Sequence, residues 1–246
     1  MTYTNSSAVS TETKVTLGIL AVTALIIVGG LMAFKSNVAS NGGEGQYAKY
    51  IQSGLTFTKD KVAPAGNPKI VGTGKGTAPR TASSTPIEIT EFMDYECPAC
   101  ATNGEVITQQ LLATYGDRLT ITRRIYPVHG EGSIEVGRMV LAAQSVSKEA
   151  YEKLHTQVFA TQPTWSALGK TERVGFFKKL TADLGLNYDM LVAEGKKPQY
   201  AGQIDADKAA AVELGIRATP SFMIGGHTRI TGGLPVDAFT QYIDKN

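Results

Sequence analysis

Cysteine and histidine are scarce in this sequence, which holds two cysteines and three histidines in 246 residues. Two cysteines cannot build a disulfide framework, so an apolar core must stabilise the fold. A structural zinc site takes four such ligands, and His129, His155 and His227 form no recognised ligand pair. The sequence therefore predicts no metal site.

An excess of charge of one sign is also missing. The 24 basic and 22 acidic residues are interspersed and leave a net charge of +2. Nucleic-acid-binding surfaces need clustered basic residues, so we expect no nucleic-acid partner.

Motifs for cofactor binding are missing as well. Haem attachment requires histidine directly after C-x-x-C, where this chain has Ala101. The glycine-rich residues 72–77 lack the G-x-x-x-x-G-K-S/T spacing of a phosphate loop, so we expect no cofactor.

One long uncharged run is present near the N-terminus, from Val15 to Phe34. Its 20 residues are enough for a helix to span a hydrocarbon core of roughly 30 Å. Cleaved signal peptides usually have a shorter apolar region, although Val38-Ala39-Ser40 is compatible with a cleavage site. The sequence favours an uncleaved membrane anchor and leaves a cleaved signal as the alternative.

Composition changes along the rest of the chain. Gly, Ser, Thr, Asn, Pro and Lys dominate residues 35–85, and such a segment buries little apolar surface. From residue 86 onward, apolar residues recur with the periods of strands and helices. The expected organisation is a tail over 1–14, a transmembrane or signal segment over 15–34, a flexible linker over 35–85 and one globular domain over 86–246, mainly helical at about 131–196.

Both cysteines fall in one motif, Cys97-Pro98-Ala99-Cys100. Alternating apolar residues predict a strand over 87–93 before it, and helical apolar spacing predicts a helix after it, as far as residue 115. Unpaired N–H groups and the dipole at the start of this helix lower the pKa of Cys97. The motif predicts a redox-active dithiol in which Cys97 attacks and Cys100 resolves the mixed disulfide.

Two further patterns extend this reading. Residues 119–126 predict a second strand, so strand, helix and strand form a β-α-β unit, followed by several helices. Ser221–Ile224 and His227–Thr231 predict a hairpin across Gly225-Gly226, a dipeptide suited to a tight primed turn. A final helix is predicted over 235–243.

Two motifs, one in each half of this predicted order of strands and helices, resemble those of a known family. They are Phe92-x-Asp94-Tyr95-x-Cys97-Pro98-x-Cys100 and, about 120 residues later, Ala218-Thr219-Pro220-Ser221-Phe222. Over roughly residues 86–244 the chain resembles the DsbA-like family of exported thiol–disulfide oxidoreductases. The resemblance implies an α/β architecture: a thioredoxin fold with a helical insertion, here preceded by the transmembrane segment and linker.

The resemblance also implies roles for single residues. Thr219-Pro220 resembles the cis-proline loop of the family, so Pro98, Ala99, Thr219 and Pro220 are expected to face the substrate. The best-known members have histidine where this chain has Ala99, which predicts a weaker oxidant here.

Glu91 matches a buried acid that is thought to relay the proton of the second cysteine in the thioredoxin-like family. Strand alternation also places Glu91 on the face of Ile87 and Ile89, where burial raises the pKa of a carboxyl. The alternative is an ion pair with Arg123 or Arg124 on the adjacent strand.

Other polar residues near the cysteines are expected to play no catalytic part. Asp94, Tyr95 and Glu96 should point to solvent, because acids facing Cys97 would oppose a thiolate. His129 is the histidine most able to reach Cys97, and a Cys–His hydrolase built on it is disfavoured.

The function implied by the resemblance is disulfide formation in exported proteins through Cys97 and Cys100. Its partners would be unfolded or reduced exported polypeptides and a membrane quinone-linked protein that reoxidises the enzyme. The catalytic domain would lie on the extracytoplasmic side of a single-pass anchor, or in the periplasm or medium after cleavage. The alternatives are a disulfide reductase or isomerase on the same scaffold and a non-catalytic binding or chaperone module.

Overall fold

A six-stranded mixed sheet organises the part of the chain that the structure, a computed structural model, describes: residues 47–78 and 86–243. Its order is β1-β6-β5-β3-β4-β2. Strands β3 and β4 are parallel, and every other neighbouring pair is antiparallel. The strands are β1 (Ile51–Gln52), β2 (Lys69–Val71), β3 (Ile87–Met93), β4 (Leu119–Ile125), β5 (Ser221–Ile224) and β6 (Thr228–Thr231).

Nine α-helices occur among these described residues. Within the same ranges, no helix is long and apolar enough to cross a membrane. The segment over 15–34 that is predicted to do so lies outside the described residues. The helices are α1 (Lys59–Val62), α2 (Glu105–Tyr115), α3 (Glu131–Ala142), α4 (Lys148–Ala160), α5 (Gln162–Trp165), α6 (Lys170–Asp183), α7 (Tyr188–Gly195), α8 (Pro198–Glu213) and α9 (Val236–Ile243).

The sheet is buried on both faces. Ile89 of β3 packs with residues of α2 and α9 on one face, while Phe92 packs with residues of α8 on the other. Met93 and Ile125 end β3 and β4 and pack with the helices that follow β4. Helices α3 to α7 therefore form a layer beyond the carboxyl ends of these two parallel strands. This arrangement confirms the predicted thioredoxin fold with a helical insertion and the predicted hairpin of β5 and β6.

Within the segment predicted to be a linker, residues 47–78 contribute two short strands to the sheet. Strand β1 pairs with β6, and β2 pairs with β4, so these short segments form the two edges of the sheet. Their backbone hydrogen bonds do not depend on apolar side chains, and composition therefore gives no sign of them.

The glycine-rich stretch in the same segment packs closely against the chain after α2. A Cβ atom at Gly72 would collide with the carbonyl oxygen of Gly116, and one at Gly76 with that of Thr114. Gly76 also has a φ of +66°, which glycine adopts without strain. These glycines permit a close approach of two backbones instead of supplying flexibility.

Asn67 joins this segment to the core. It is 7% exposed, and its Nδ2 donates to the Arg123 carbonyl at 3.1 Å and to the Asp207 carboxylate at 3.0 Å. Asp207 also pairs with Arg124 at 2.7 Å. The amide thus satisfies a buried carboxylate and a buried carbonyl at once.

We predict that Asn67→Ala destabilises the protein by about 1–3 kcal/mol, because two buried acceptors lose a donor. The free energy of unfolding in urea measures this loss. Thr73→Ala, at an exposed site in the same segment, is the control and should change stability by less than about 0.5 kcal/mol. Equal effects of the two substitutions would show that the segment is not held by Asn67.

Candidate active site

Cys97 lies where the chain passes from β3 into a helix. Its backbone N–H donates to the Asp94 carbonyl at 3.1 Å, and its own carbonyl accepts from the N–H of Cys100 at 3.1 Å. Both cysteines are free thiols and buried, with 5% of Cys97 and 1% of Cys100 exposed. The first helical turn thus carries both sulfurs at the carboxyl end of β3.

A π-helical turn at Cys100–Gly104 precedes α2, where the sequence predicts a continuous α-helix. Its physical reason lies in Gly104, where a Cβ atom would be 2.9 Å from Glu91 Oε1 and 3.4 Å from Pro220 Cβ. The wider turn accommodates this approach, and such turns often occur at functional sites. The predicted apolar stripe stays inward: Cys100, Gly104, Ile107, Leu111 and Tyr115 are all buried.

The surroundings of the two sulfurs are unequal. A hydrogen bond from the Cys100 thiol is the largest effect on Cys97 and lowers its pKa, whereas burial raises it. Thr219 and the N–H groups of Cys100 and Ala99 lower the pKa of Cys97 further, to about 5. Burial raises the pKa of Cys100 well above its usual range, and the hydrogen bond to Cys97 raises it further. Cys97 is the sulfur that ionises at neutral pH.

Thr219 faces this sulfur from the start of β5. The Thr219–Pro220 bond is cis, as the sequence predicts. Cys97 Sγ lies 3.3 Å from the Thr219 carbonyl oxygen, to which it donates when protonated, and this contact joins two positions 122 residues apart in the chain. Antiparallel pairing of Phe92 with Ser221 aligns the two strands, so Thr219 lies just past the end of β3.

Glu91 is an almost fully buried acid beside the dithiol. It is 2% exposed, and the Thr108 hydroxyl donates to its Oε2 at 3.2 Å. Burial raises the pKa of Glu91 to about 7, although the charge of Arg123 opposes the shift. Glu91 in turn contributes to the raised pKa of Cys100. The carboxyl therefore changes its protonation state near neutral pH and acts on the buried sulfur through its charge.

The alternative ion pairs of Glu91 are not formed within the described residues. Arg123 Nη1 pairs with Glu152 at 2.7 Å and Nη2 approaches Glu105 at 4.0 Å. Arg124 pairs with Asp207 on the opposite face of the sheet. Arg123 thus acts on Glu91 through its charge alone.

We predict that Glu91→Gln stabilises the protein at pH 8 but not at pH 4. The carboxyl has a pKa of about 7 in the folded state, above its usual value of 4.5. The folded state therefore binds more protons between these values, and stability falls as pH rises through them. Glutamine avoids this loss, which is up to about 3 kcal/mol above pH 7.

Urea unfolding of the reduced protein at several pH values measures this gain. Glu213→Gln, at a carboxyl 59% exposed, is the control and should not change the slope of stability against pH. A gain that is the same at pH 4 and pH 8 would contradict an ionisable buried Glu91.

The residues just before Cys97 correct the expectation that they point to solvent. Asp94 and Tyr95 are fully buried, and Glu96 is 16% exposed. The Asp94 carboxylate accepts from the N–H groups of Glu96 at 2.9 Å, Val128 at 2.7 Å and His129 at 3.0 Å. Its charge can be buried because these donors replace water.

Tyr95 ties the dithiol turn to the helical insertion. Its hydroxyl bonds to His155 Nδ1 at 2.9 Å, and His155 Nε2 bonds to Glu105 at 3.2 Å. His155 is fully buried with both ring nitrogens bonded, as expected of a packing residue. Helix α4 is thereby linked to Tyr95, before the two cysteines, and to Glu105, directly after the π-helical turn.

His129 is a site residue that the sequence analysis set aside. Its Nδ1 lies 2.8 Å from Asp94 Oδ2, and its side chain is 41% exposed. Partial burial lowers the pKa of His129, but the hydrogen bond and negative charge of Asp94 raise it. The charges of Cys97 and Glu96 act in the same direction as Asp94, so the pKa of His129 is raised on balance. When protonated, it adds a cation to the electrostatic surroundings of Cys97, where Ala99 adds none. The sequence feature that could have indicated this role is the position of His129 just after the strand β4.

We predict that His129→Gln raises the pKa of Cys97, because the thiolate loses a nearby cation. The rate of iodoacetamide alkylation at pH 6 should fall by up to roughly fivefold. His227→Gln, at an exposed histidine of the β5–β6 hairpin, is the control and should leave the rate unchanged.

Adding Ala99→His to the same protein returns a cation beside Cys97 and should restore the alkylation rate. An unchanged pH profile in His129→Gln would show that the imidazole does not act on the sulfur.

Comparison with known proteins identifies the family. The chain belongs to the thioredoxin family, because a family model described as thioredoxin matches residues 79–245. The match covers the sheet from β3 onward, the C-x-x-C helix and the whole helical insertion.

Two curated relatives are similar in sequence. Disulfide bond formation protein D of Bacillus subtilis (strain 168) is 26% identical over 172 residues, 66% of this chain and 72% of that protein. The Na(+)/H(+) antiporter NhaA of Herminiimonas arsenicoxydans is 27% identical over 160 residues, 65% of this chain. The chain spans only 24% of the antiporter's length.

Solved structures share the fold. A thioredoxin-like oxidoreductase from Silicibacter pomeroyi DSS-3 aligns with a TM-score of 0.61 and 23% identity, over 77% of this chain and 97% of that one. Oxidised BdbD from Bacillus subtilis aligns with a TM-score of 0.61 and 19% identity, over 78% and 96%. The thiol-disulfide exchange protein α-DsbA2 from Wolbachia pipientis gives 0.60 and 17%, over 76% and 90%. The architecture is thus of the DsbA and BdbD type.

Proposed function

We propose that this protein is a thiol–disulfide oxidoreductase that uses Cys97 and Cys100 to form disulfides in exported polypeptides. The observation that carries the proposal is the pair of unequal sulfurs: Cys97 ionises with a pKa of about 5, and burial holds the pKa of Cys100 well above its usual range. Family membership and the names of its relatives support the same class of reaction.

The first step uses the oxidised Cys97–Cys100 pair. A substrate thiolate attacks Cys97 Sγ, forming a mixed disulfide and breaking the bond to Cys100. Cys100 leaves with the electron pair and takes up a proton, because its buried sulfur favours the thiol. Glu91, protonated below its pKa of about 7, is the proposed donor of that proton.

The second step releases the product. A second substrate thiolate attacks the substrate sulfur of the mixed disulfide, and Cys97 leaves as a thiolate. A leaving sulfur of low pKa departs faster. The substrate has then lost two electrons and two protons to become a disulfide, and the enzyme holds the dithiol.

The substrate chain would lie against the first helical turn and the cis-proline loop. Pro98, Ala99, Thr219 and Pro220 surround Cys97 from these two sides. The Thr219 carbonyl, which accepts from the Cys97 thiol at 3.3 Å, could instead accept from the N–H of an extended substrate added as a strand.

The cellular setting is part of the proposal. The uncharged segment over 15–34 would anchor the protein, with the catalytic domain on the extracytoplasmic side, or would direct export before cleavage. A dithiol left by each turnover requires reoxidation, for which we propose a membrane quinone-linked partner.

The redox potential tests the direction of the reaction. Thiolate stabilisation lowers the pKa of Cys97 from 9.0 to about 5, which stabilises the reduced form fully above pH 9 and not below pH 5. At pH 7 this amounts to about 3 kcal/mol in favour of the reduced form. We predict a Cys97–Cys100 potential in glutathione buffers near or above about −180 mV.

Two single-cysteine variants complete this test. Cys100→Ser should accumulate mixed disulfides with an unfolded substrate that carries a disulfide, because the Cys97 thiolate attacks that disulfide, releases one substrate thiol and has no second enzyme thiol to displace it. Cys97→Ser should form none. A potential near about −270 mV would favour a reductase. Two thiols equally slow towards iodoacetamide at acidic pH would favour a non-catalytic binding module.

A further inference from the structure

A cavity of about 690 Å³ lies between α3, α6 and α7, in the helical insertion. Its volume falls in the range of about 300–1,000 Å³ that is typical of ligand pockets, enough for one or two side chains of a bound polypeptide. Its apolar lining comes from Ile134, Met139, Val174, Phe177, Tyr188 and Val192.

The charged residues of the lining favour an anion. Four are basic and two are acidic: Arg138, Lys170, Arg173 and Lys196, against Glu131 and Glu135. Lys170 is paired with Glu135 at 3.1 Å. Arg138 and Lys196 have no ion-pair partner in the described parts of the chain.

A carboxylate inside the cavity would balance the excess positive charge of this lining, because Arg138 and Lys196 are not neutralised by any acid among the described residues.

The cavity adjoins the residue before the nucleophile. Gly132 lines it, and a Cβ atom at Gly132 would lie 2.5 Å from Glu96 Oε1 and 2.7 Å from Arg173 Nη1. Glu96 pairs with Arg173 at 2.7 Å across this glycine. The side chain at the rim of the cavity, Glu96, thus belongs to the residue directly before Cys97.

We propose that this cavity binds an acidic residue and an adjacent apolar residue of the polypeptide whose cysteine reacts with Cys97. The inference rests on the proposed function and adds a substrate preference to it. An extended chain advances about 3.3–3.6 Å per residue, so the bound residues lie a few positions from the reacting cysteine. The apolar side chain occupies the wall between α6 and α7, and the carboxylate meets the unpaired cations.

Binding is tested without redox chemistry. Fluorescein-labelled peptides carry serine in place of cysteine, with Leu-Glu, Leu-Gln or Gly-Glu four residues away on either side. Fluorescence anisotropy should give the tightest binding for Leu-Glu. Lys196→Gln, at an exposed lysine of the lining, should weaken Leu-Glu binding roughly three- to fivefold and bring it close to that of Leu-Gln.

Lys179→Gln is the matched control, because Lys179 is an exposed lysine of α6 that does not line the cavity. It should leave the preference for Leu-Glu unchanged. Equal binding of Leu-Glu and Leu-Gln by the native protein, or equal effects of the two lysine substitutions, would overturn the proposal.

The cysteine forms of the same peptides separate this inference from the proposed function. In single-turnover experiments, the oxidised protein should reach its half-maximal rate of oxidation at a lower concentration of Leu-Glu peptides than of Leu-Gln peptides, and Lys196→Gln should remove the difference. One half-maximal concentration for all peptides would overturn the substrate preference and leave the oxidoreductase intact. Binding with the expected preference but no oxidation would refute the proposed function alone.

Discussion

Stabilisation of one thiolate is the constraint on which the rest of the site depends. Burial opposes a charge on Cys97, and the Cys100 thiol in the same turn is the largest of the groups that outweigh burial. Thr219 and the N–H groups of Cys100 and Ala99 add to its effect. Thr219 lies just before β5, far away in the chain, and the antiparallel register of β3 and β5 brings it to the sulfur. The sheet, and not only the C-x-x-C motif, therefore sets the chemistry.

The helical insertion is part of this site. Helix α4 supplies His155, bonded to Tyr95 just before Cys97, and Glu152, paired with Arg123. Arg123 in turn opposes the rise in the pKa of Glu91 that burial causes. A change in the packing of α4 would thus reach the acid that is proposed to move a proton, because a buried charge responds strongly to its partners.

Patterns among neighbouring residues were sufficient to predict much of the fold and the dithiol. The alternation in β3, the stripe of α2 and the hairpin each depend on neighbouring residues, and each is found where the sequence predicts it. The inward turn of Asp94 depends instead on N–H groups more than 30 residues away, at 128 and 129. The edge strands over 47–78 likewise depend on pairing with β4 and β6. Neither the burial of Asp94 nor the edge strands can be predicted from a short stretch of sequence, because both depend on residues far away in the chain.

The source of positive charge near Cys97 has a consequence for substrate binding. In this chain the charge comes from His129, in the loop that leads into α3, and not from the residue between the cysteines. The same stretch continues to Glu131 and Gly132, which line the cavity of the insertion. Glu96 acts on His129 through its charge and forms an ion pair with Arg173 in the lining of the cavity. Glu96 is thus the side chain that joins the surroundings of Cys97 to the rim of the cavity.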